Sequence, residues 1–520
     1  MIRMLIALAG LGFVSAQAAT FTPTRFDDPT PDGCAVSDCS LREAVIDADQ
    51  TAASDTIVLA PGTYAITLSG NDTSEEVGDL DITSDLVIQG QPGVVIDGQD
   101  QGRILDIRND ANVTIENLRI TNANTSLMTN GSLNGGALQI NGGSLTLRGV
   151  EFVSNSAQTL GGAVYLNNGA NALIEDSAFA ENQGANGAAI ISSSGSTPAT
   201  LTVRNTLFVD NQATQRGSAA NLTGNQTDAT FEEVTFLRNS SQTGGGALLF
   251  LARDLVLDGV VAAQNTAIAA DGGFLLMTGT SHAKTISIRN AILRENAAVN
   301  GGAIDFTDAD DVLTMAHVAL LDNMASSDGG ALFFNGGTVQ IDNSTFSGNS
   351  GDDGGAVRAI FDGDMTLRHV TISGNTAASG TALSVLGSQS LTLTIGNSIL
   401  DGDCATTGSQ DSIVSAGGNL EGPGDTCMLV DASDLVGASA SQLGLTPLRE
   451  NAGATPTIEL TPDSEARGRG VTTICNALTV DQLFQARDGV CNAGSVESNT
   501  LFIDSFETIR SLGSSVVIAL

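Results

Sequence analysis

The chain has no Trp, and aromatic residues make up only 4% of it. A single large core built around aromatic side chains is therefore not expected. Basic residues are also scarce. Lys284 is the only lysine, the other 20 basic residues are Arg, and the formal net charge is -37. Phosphate binding needs a basic face, so nucleic acid is a poor partner. An acidic surface suits solubility outside the cell or the holding of cations. Beyond the first residues no apolar run reaches the ~20 residues of a membrane-spanning helix, so none is expected. No Cys-x-x-Cys occurs, and His282, His317 and His369 lie apart from the cysteines, which argues against zinc.

What the chain has in abundance is glycine, 60 residues, scattered between short apolar stretches. Many turns and small residues suit a stacked solenoid, in which each repeat buries its face against its neighbours. Arg3, the apolar stretch Met4 to Val14 and the small-x-small site Ala16-Gln17-Ala18 read as a secretory signal over residues 1–18. No Cys follows that site, so a lipid anchor is not expected. The six cysteines fall into three near-sequence pairs at the two ends of the chain. An even count in an exported chain predicts disulfides, and proximity predicts Cys34 with Cys39, Cys404 with Cys427, and Cys475 with Cys491. The first would tie down an N-terminal cap. The others would brace a module covering the last coil, whose strand edges would otherwise be unpaired.

Between about residues 145 and 385 one pattern recurs: an apolar strand, an apolar-x-x-Asn step, Gly-Gly-Ala and another apolar strand. The Asn stands at 155, 182, 211, 239, 265, 296, 323, 349 and 375, at spacings of 26 to 31 residues. Period-2 strands without a helical stripe between them predict three strands per coil. The residue seven before each Asn forms a column that begins Arg148, Glu175, Arg204, Glu232 and Asp258 and continues through Arg289, Ala316, Asp342 and Arg368. Opposite charges on adjacent strands attract, so this column is expected to face outward as a ladder. The outward column two positions earlier includes Thr146, Thr202 and Thr230. The residues between, from Leu147 and Ile174 to Leu367, should point inward. So should the stack Phe152, Phe179, Phe208 and Phe236. The Asn column is expected to be a buried amide ladder, and the Gly-Gly pairs to turn the chain where a Cβ would clash.

Two signatures resemble known families. Cys39-Ser40-Leu41-Arg42-Glu43-Ala44, followed by Asp55-Thr56-Ile57-Val58-Leu59 and Pro61-Gly62-Thr63-Tyr64, resembles the N-terminal module named for its Cys-Ser-Leu-Arg-Glu-Ala motif. The Phe-x-x-Asn and Gly-Gly-Ala repeats are similar to those of chlamydial polymorphic outer-membrane proteins. Gly417-Gly418-Asn419-Leu420, Asn451-Ala452-Gly453-Ala454-Thr455, Asp481-Gln482 and Cys491-Asn492-Ala493-Gly494-Ser495-Val496-Glu497 resemble the choice-of-anchor Q domain of bacterial surface proteins. The resemblance implies a secreted or surface β-helix. The chain departs from it in having Leu483-Phe484 where the Q-type domain continues with Arg-Gly. It departs also in leaving too few residues after Glu497 for a membrane barrel.

The expected fold is all-β: a right-handed parallel β-helix, a pectate-lyase-like solenoid of about ten or more coils with a disulfide-braced cap and C-terminal module. Its expected parts are a signal over 1–18, the cap over 19–56, the β-helix over 57–403, the Q-like module over 404–500 and a tail over 501–520. The expected function is non-catalytic: an adhesin-like surface protein binding extracellular polysaccharide or another cell-surface component, as a monomer. The alternative is a lyase or hydrolase of acidic polysaccharide, because parallel β-helices host such enzymes. No cofactor is expected, although Asp308, Asp310, Asp311, Asp352, Asp353, Asp362 and Asp364 in turns suggest loose calcium sites. His282 and Lys284 share a long loop that has no carboxylate partner of its own. His317 and His369 read as turn residues. Every charged group of catalytic type falls in a ladder, a turn or an isolated loop, so no catalytic centre is expected.

Overall fold

The computed structural model describes residues 17–497 apart from 52, 71–75, 129–132, 194, 280–281, 409–411, 452 and 488, with the side chains of 127, 387–390 and 408 also left aside. The signal segment up to residue 16 and the tail 501–520 lie outside the described residues. The fold is the expected one, a right-handed parallel β-helix of about 12 turns. In one coil, residues 144–148 lie in a first sheet and 150–153 in a second, and Val164–Asn167 lies in a third. A fourth sheet, absent from the expected three per coil, has six short strands between Gln183–Asn186 and Met324–Ala325. Its strands follow the ladder Asn, where the chain still has several residues to run before the Gly-Gly bend.

The predicted register is the observed one. Arg148 pairs beside Glu175, and Glu175 beside Arg204. Arg148 contacts Glu175 at 3.1 Å, and Arg204 contacts Glu232 at 2.6 Å. The rings of Phe152, Phe179, Phe208 and Phe236 are fully buried, with successive centroids 5.0, 4.9 and 5.1 Å apart. That spacing follows from the separation of neighbouring strands, about 4.8 Å. Each ladder Asn from Asn155 to Asn349 donates from Nδ2 to the Oδ1 of the next. Asn182 does so to Asn211 at 2.9 Å and also to the Phe152 carbonyl at 3.0 Å. The ladder satisfies its amides internally, so it is a structural element, not a ligand row.

The residue after the charge column and the residue before the ladder Asn both adopt left-handed backbone, as at Asn205 (φ 44°), His317 (φ 56°), His369 (φ 52°) and Asp210 (φ 55°). Both histidines are thus turn residues, as expected. The glycine pairs serve two separate needs. Gly272 has φ 67°, where a side chain is strained. A Cβ on its neighbour Gly273 would collide with the carbonyl oxygen of Gly302 on the next coil.

The first motif builds the N-terminal cap. Ser40 caps the helix Leu41–Asp49, its N–H donating to Glu43 Oε2 at 2.7 Å while the Glu43 N–H donates to Ser40 Oγ at 3.2 Å. Leu41 and Ala44 are buried, and Arg42 pairs with Asp28 at 2.7 Å in the interior. The three disulfides are those predicted. Solenoid pairing continues through Cys404–Gly408, Ile413–Gly417 and Leu420–Gly422.

The C-terminal segment does more than cover the last coil. It turns back along the corner between the first and second sheets. There Arg487 donates to Asn343 Oδ1 at 3.0 Å and the Ser495 N–H donates to Thr371 Oγ1 at 3.0 Å. The Phe484 ring reaches His317, with centroids 4.5 Å apart. Phe484 adopts φ 61°. The cover therefore spans four coils, because the turn column Asn397, His369, Asn343 and His317 presents groups for it to grip.

Candidate functional site: the outer face of the third sheet

In each third-sheet strand the first and third residues enter the core and the middle one points away, as in Ile304-Asp305-Phe306. These middle residues run Asp81, Asp106, Gln139, Tyr165, Ile191, Asn221 and on through Asp305, Phe333, Arg358 and Ser384. Most are covered although they lie outside the core; Tyr165 is 7% exposed and Phe333 8%. The Gly-Gly bends fold against them. Ile191 packs beside Gly161 and Gly187, and Leu276 beside Gly244. The bends thus cover the outer side of this sheet.

Carboxylates gather at one stretch of it. Asp271 accepts from the Asn300 N–H at 3.1 Å and from Asn300 Nδ2 at 2.9 Å, and Asn300 Oδ1 accepts from the Asp328 N–H at 3.2 Å. Asp328 and Asp353 are paired on adjacent coils, and Arg358 lies 3.7 Å from Asp353. Asp305 is buried, accepting from Thr307 Oγ1 at 2.8 Å; burial pushes its carboxyl well above the usual range. Burial raises the Asp328 carboxyl as well, against the pull of Arg358. Sequence reasoning overlooked Asp271, Asp305, Asp328 and Arg358. For Asp305 the available signal was an acid between two apolar residues of a strand, four positions after Gly301 of a Gly-Gly-Ala bend.

A second acidic group, Asp79, Asp81 and Asp106, lies buried near the N-terminal end with ligand atoms within 4.8 Å of one another. Arg103 contacts Asp79 at 2.6 Å and Asp106 at 3.0 Å, and Arg108 contacts Asp81 at 2.8 Å. Two guanidiniums fill the space a cation would need, so this is an ion-pair network. Burial, followed by the charge of Asp79, pushes the Asp81 carboxyl up to about 7.

Two expectations about loops are corrected. Lys284 is fully buried and has carboxylate partners, Asp311 at 2.7 Å and Asp308 at 3.0 Å. Asp311 is accordingly an interior residue, not a solvated turn. The sequence hid this because the partners lie one coil further on. His282 is separate, its Nε2 3.2 Å from the Ala252 carbonyl. The charge ladder and threonine column border a shallow groove of about 260 Å³ lined by Thr146, Asn171, Thr200, Thr202 and Arg204.

Among the described residues no helix is long and apolar enough to cross a membrane. No curated protein matches the chain by sequence. Among solved structures, the catalytic unit of a thermostable α-1,3-glucanase from Streptomyces thermodiastaticus is similar over 78% of this chain and 70% of its own, at 14% identity and TM-score 0.44. An alginate lyase in complex with a trisaccharide is similar over 85% and 92%, at 11% identity and TM-score 0.47. Tailspike protein 3 of bacteriophage CBA120 is similar over 76% and 61%, at 12% identity and TM-score 0.36. Residues 36–236 match the family described as right-handed β-helix region, the architecture that the strand pairing of this chain builds.

Proposed function

We propose that the protein is an exported, cell-surface or extracellular β-helix that binds an extended polysaccharide along the outer face of its third sheet, without turning it over. Three disulfides suit an oxidising compartment. The observation that carries the reading is a contrast between two columns. The Asn ladder satisfies its amides internally. The third-sheet column instead holds Asn221 Oδ1 and Arg358 Nε buried without a hydrogen-bond partner. Hydroxyl-rich chains supply both donors and acceptors for such groups. The test is binding of the purified protein to a panel of neutral and acidic polysaccharides. Asn221→Ala and Arg358→Ala should each weaken the best ligand about tenfold, a change of ~1.4 kcal/mol. Unchanged binding in both variants would overturn the assignment of this face.

One observation favours a second reading, hydrolysis or elimination on a polysaccharide. Asp305, with its raised carboxyl, shares the face with Asp271, whose charge is among the causes of that rise. Two carboxyls on one face are what acid–base cleavage of a glycosidic bond requires. Release of reducing or unsaturated sugar ends that Asp305→Asn abolishes would establish this reading in place of the first.

A further inference from the structure

We propose that Lys284 and Asp311 become joined by a covalent amide, an isopeptide bond formed within the folded chain between two neighbouring coils. The two residues occupy the same column on adjacent coils, each just before a pair of strand residues in register, Thr285 and Val312. By strand alternation both point inward, and both side chains are 0% exposed. The Lys284 N–H donates to Asp311 Oδ1 at 2.8 Å, which fixes the carboxyl against the lysine backbone. Lys284 Nζ then lies 2.7 Å from Asp311 Oδ2, in direct contact with the carboxyl. Asp308 Oδ2 stands 3.0 Å from the same nitrogen and is 14% exposed, giving the site a second carboxyl with a way out to water. On the far side the Phe306 ring and the carbonyls of Asp308 and Asp311 converge on Gly337, where a Cβ would collide with them. The pocket is therefore tight and mostly dry.

Condensation needs the amine nitrogen with a free lone pair. A proton passing from the ammonium to a carboxyl leaves a neutral amine beside a neutral acid. The Lys284 nitrogen attacks Asp311 Cγ, forming an N–C bond. Asp308 carries a proton from that nitrogen to the departing oxygen, the C–O bond breaks, and one water leaves. Both protons of that water come from the former ammonium, and nothing is oxidised or reduced. Proximity of this kind supplies what an intermolecular amide condensation lacks.

Because the chain has a single lysine, the test is direct. The intact mass of the full mature chain with its disulfides reduced is measured, and the denatured protein is treated with a lysine-specific protease. The expected results are a mass lower by one water and no cleavage after residue 284, with a branched peptide joining residues 284 and 311. Lys284→Arg and Asp308→Asn, which keep the site polar, should both have the uncondensed mass. A wild-type mass equal to that of the sequence, with complete cleavage after Lys284, would overturn the proposal without reference to any variant.

Discussion

The hydroxyl of Thr345 donates a 2.7 Å hydrogen bond to Gln482 Oε1, 137 residues further along the chain. Gln482 Nε2 in turn donates to Thr455 Oγ1 at 3.0 Å, and all three side chains are buried. This polar seam locks the returning C-terminal segment to the coil face. Gln482→Ala would leave Thr455 Oγ1 without its donor, while Thr345 keeps Ser495 Oγ at 3.1 Å, at a cost of about 1–3 kcal/mol. Hydrogen exchange should accelerate over residues 472–497 and stay slow in the coils around Asn211.

His369 is fully buried near the Cys475–Cys491 disulfide; burial, and then Arg487, push its imidazole down to about 2 from 6.5. The sign follows from linkage. Below 6.5 the unfolded chain takes up a proton that the folded chain refuses, so stability complete above 6.5 is lost as pH falls. By pH 5 the loss should approach ~2 kcal/mol. Asn stands at the equivalent turn positions 343 and 397. His369→Asn should therefore fold and show a flatter stability curve between pH 7 and 5 in urea titrations.

Core and ladder should respond very differently to truncation. Phe208 sits between two stacked rings, and Phe208→Ala should cost about 3–5 kcal/mol of local stability. Arg204 is 48% exposed between two carboxylates. Arg204→Ala should cost little by comparison, and less in high salt. Urea unfolding of both variants at two ionic strengths measures the contrast.

The second glycine of a pair should be less replaceable than a residue at a mere bend. A Cβ at position 246 would collide with the Gly273 carbonyl. Gly246→Ala should therefore prevent the two coils from stacking at their normal spacing, with a loss of several kcal/mol seen as a lowered melting temperature. Asp210→Gly, at φ 55°, relieves strain instead and should be nearly neutral apart from the lost Arg238 contact.

The column register is legible in the amino-acid sequence because it is periodic. A repeat that places Arg148, Glu175 and Arg204 at one offset from successive Asn residues allows only one stacking in which charges alternate and Phe rings stack. The near-sequence cysteine pairs are legible for a related reason, being local. The motif residues 39 to 44 are recognisable, but their separate tasks in the cap are not, since Asp28 and Gly78, which hold Arg42, lie outside the motif.

By itself the sequence determined the solenoid, its inward and outward columns, the amide ladder and the three disulfides, because each depends on a spacing that repeats or on a short loop. Only the tertiary structure decided which charges are interior. Lys284 and its partners Asp308 and Asp311 lie 24 and 27 residues apart in the chain, and no local pattern distinguishes an acid in a turn from one closing over a lysine of the previous coil. The covered outer face of the third sheet was equally hidden. Asp305 and Arg358 read as ordinary outward residues of strands. Their burial comes from the angle at which the Gly-Gly bends fold back, a property of the winding and of no single residue.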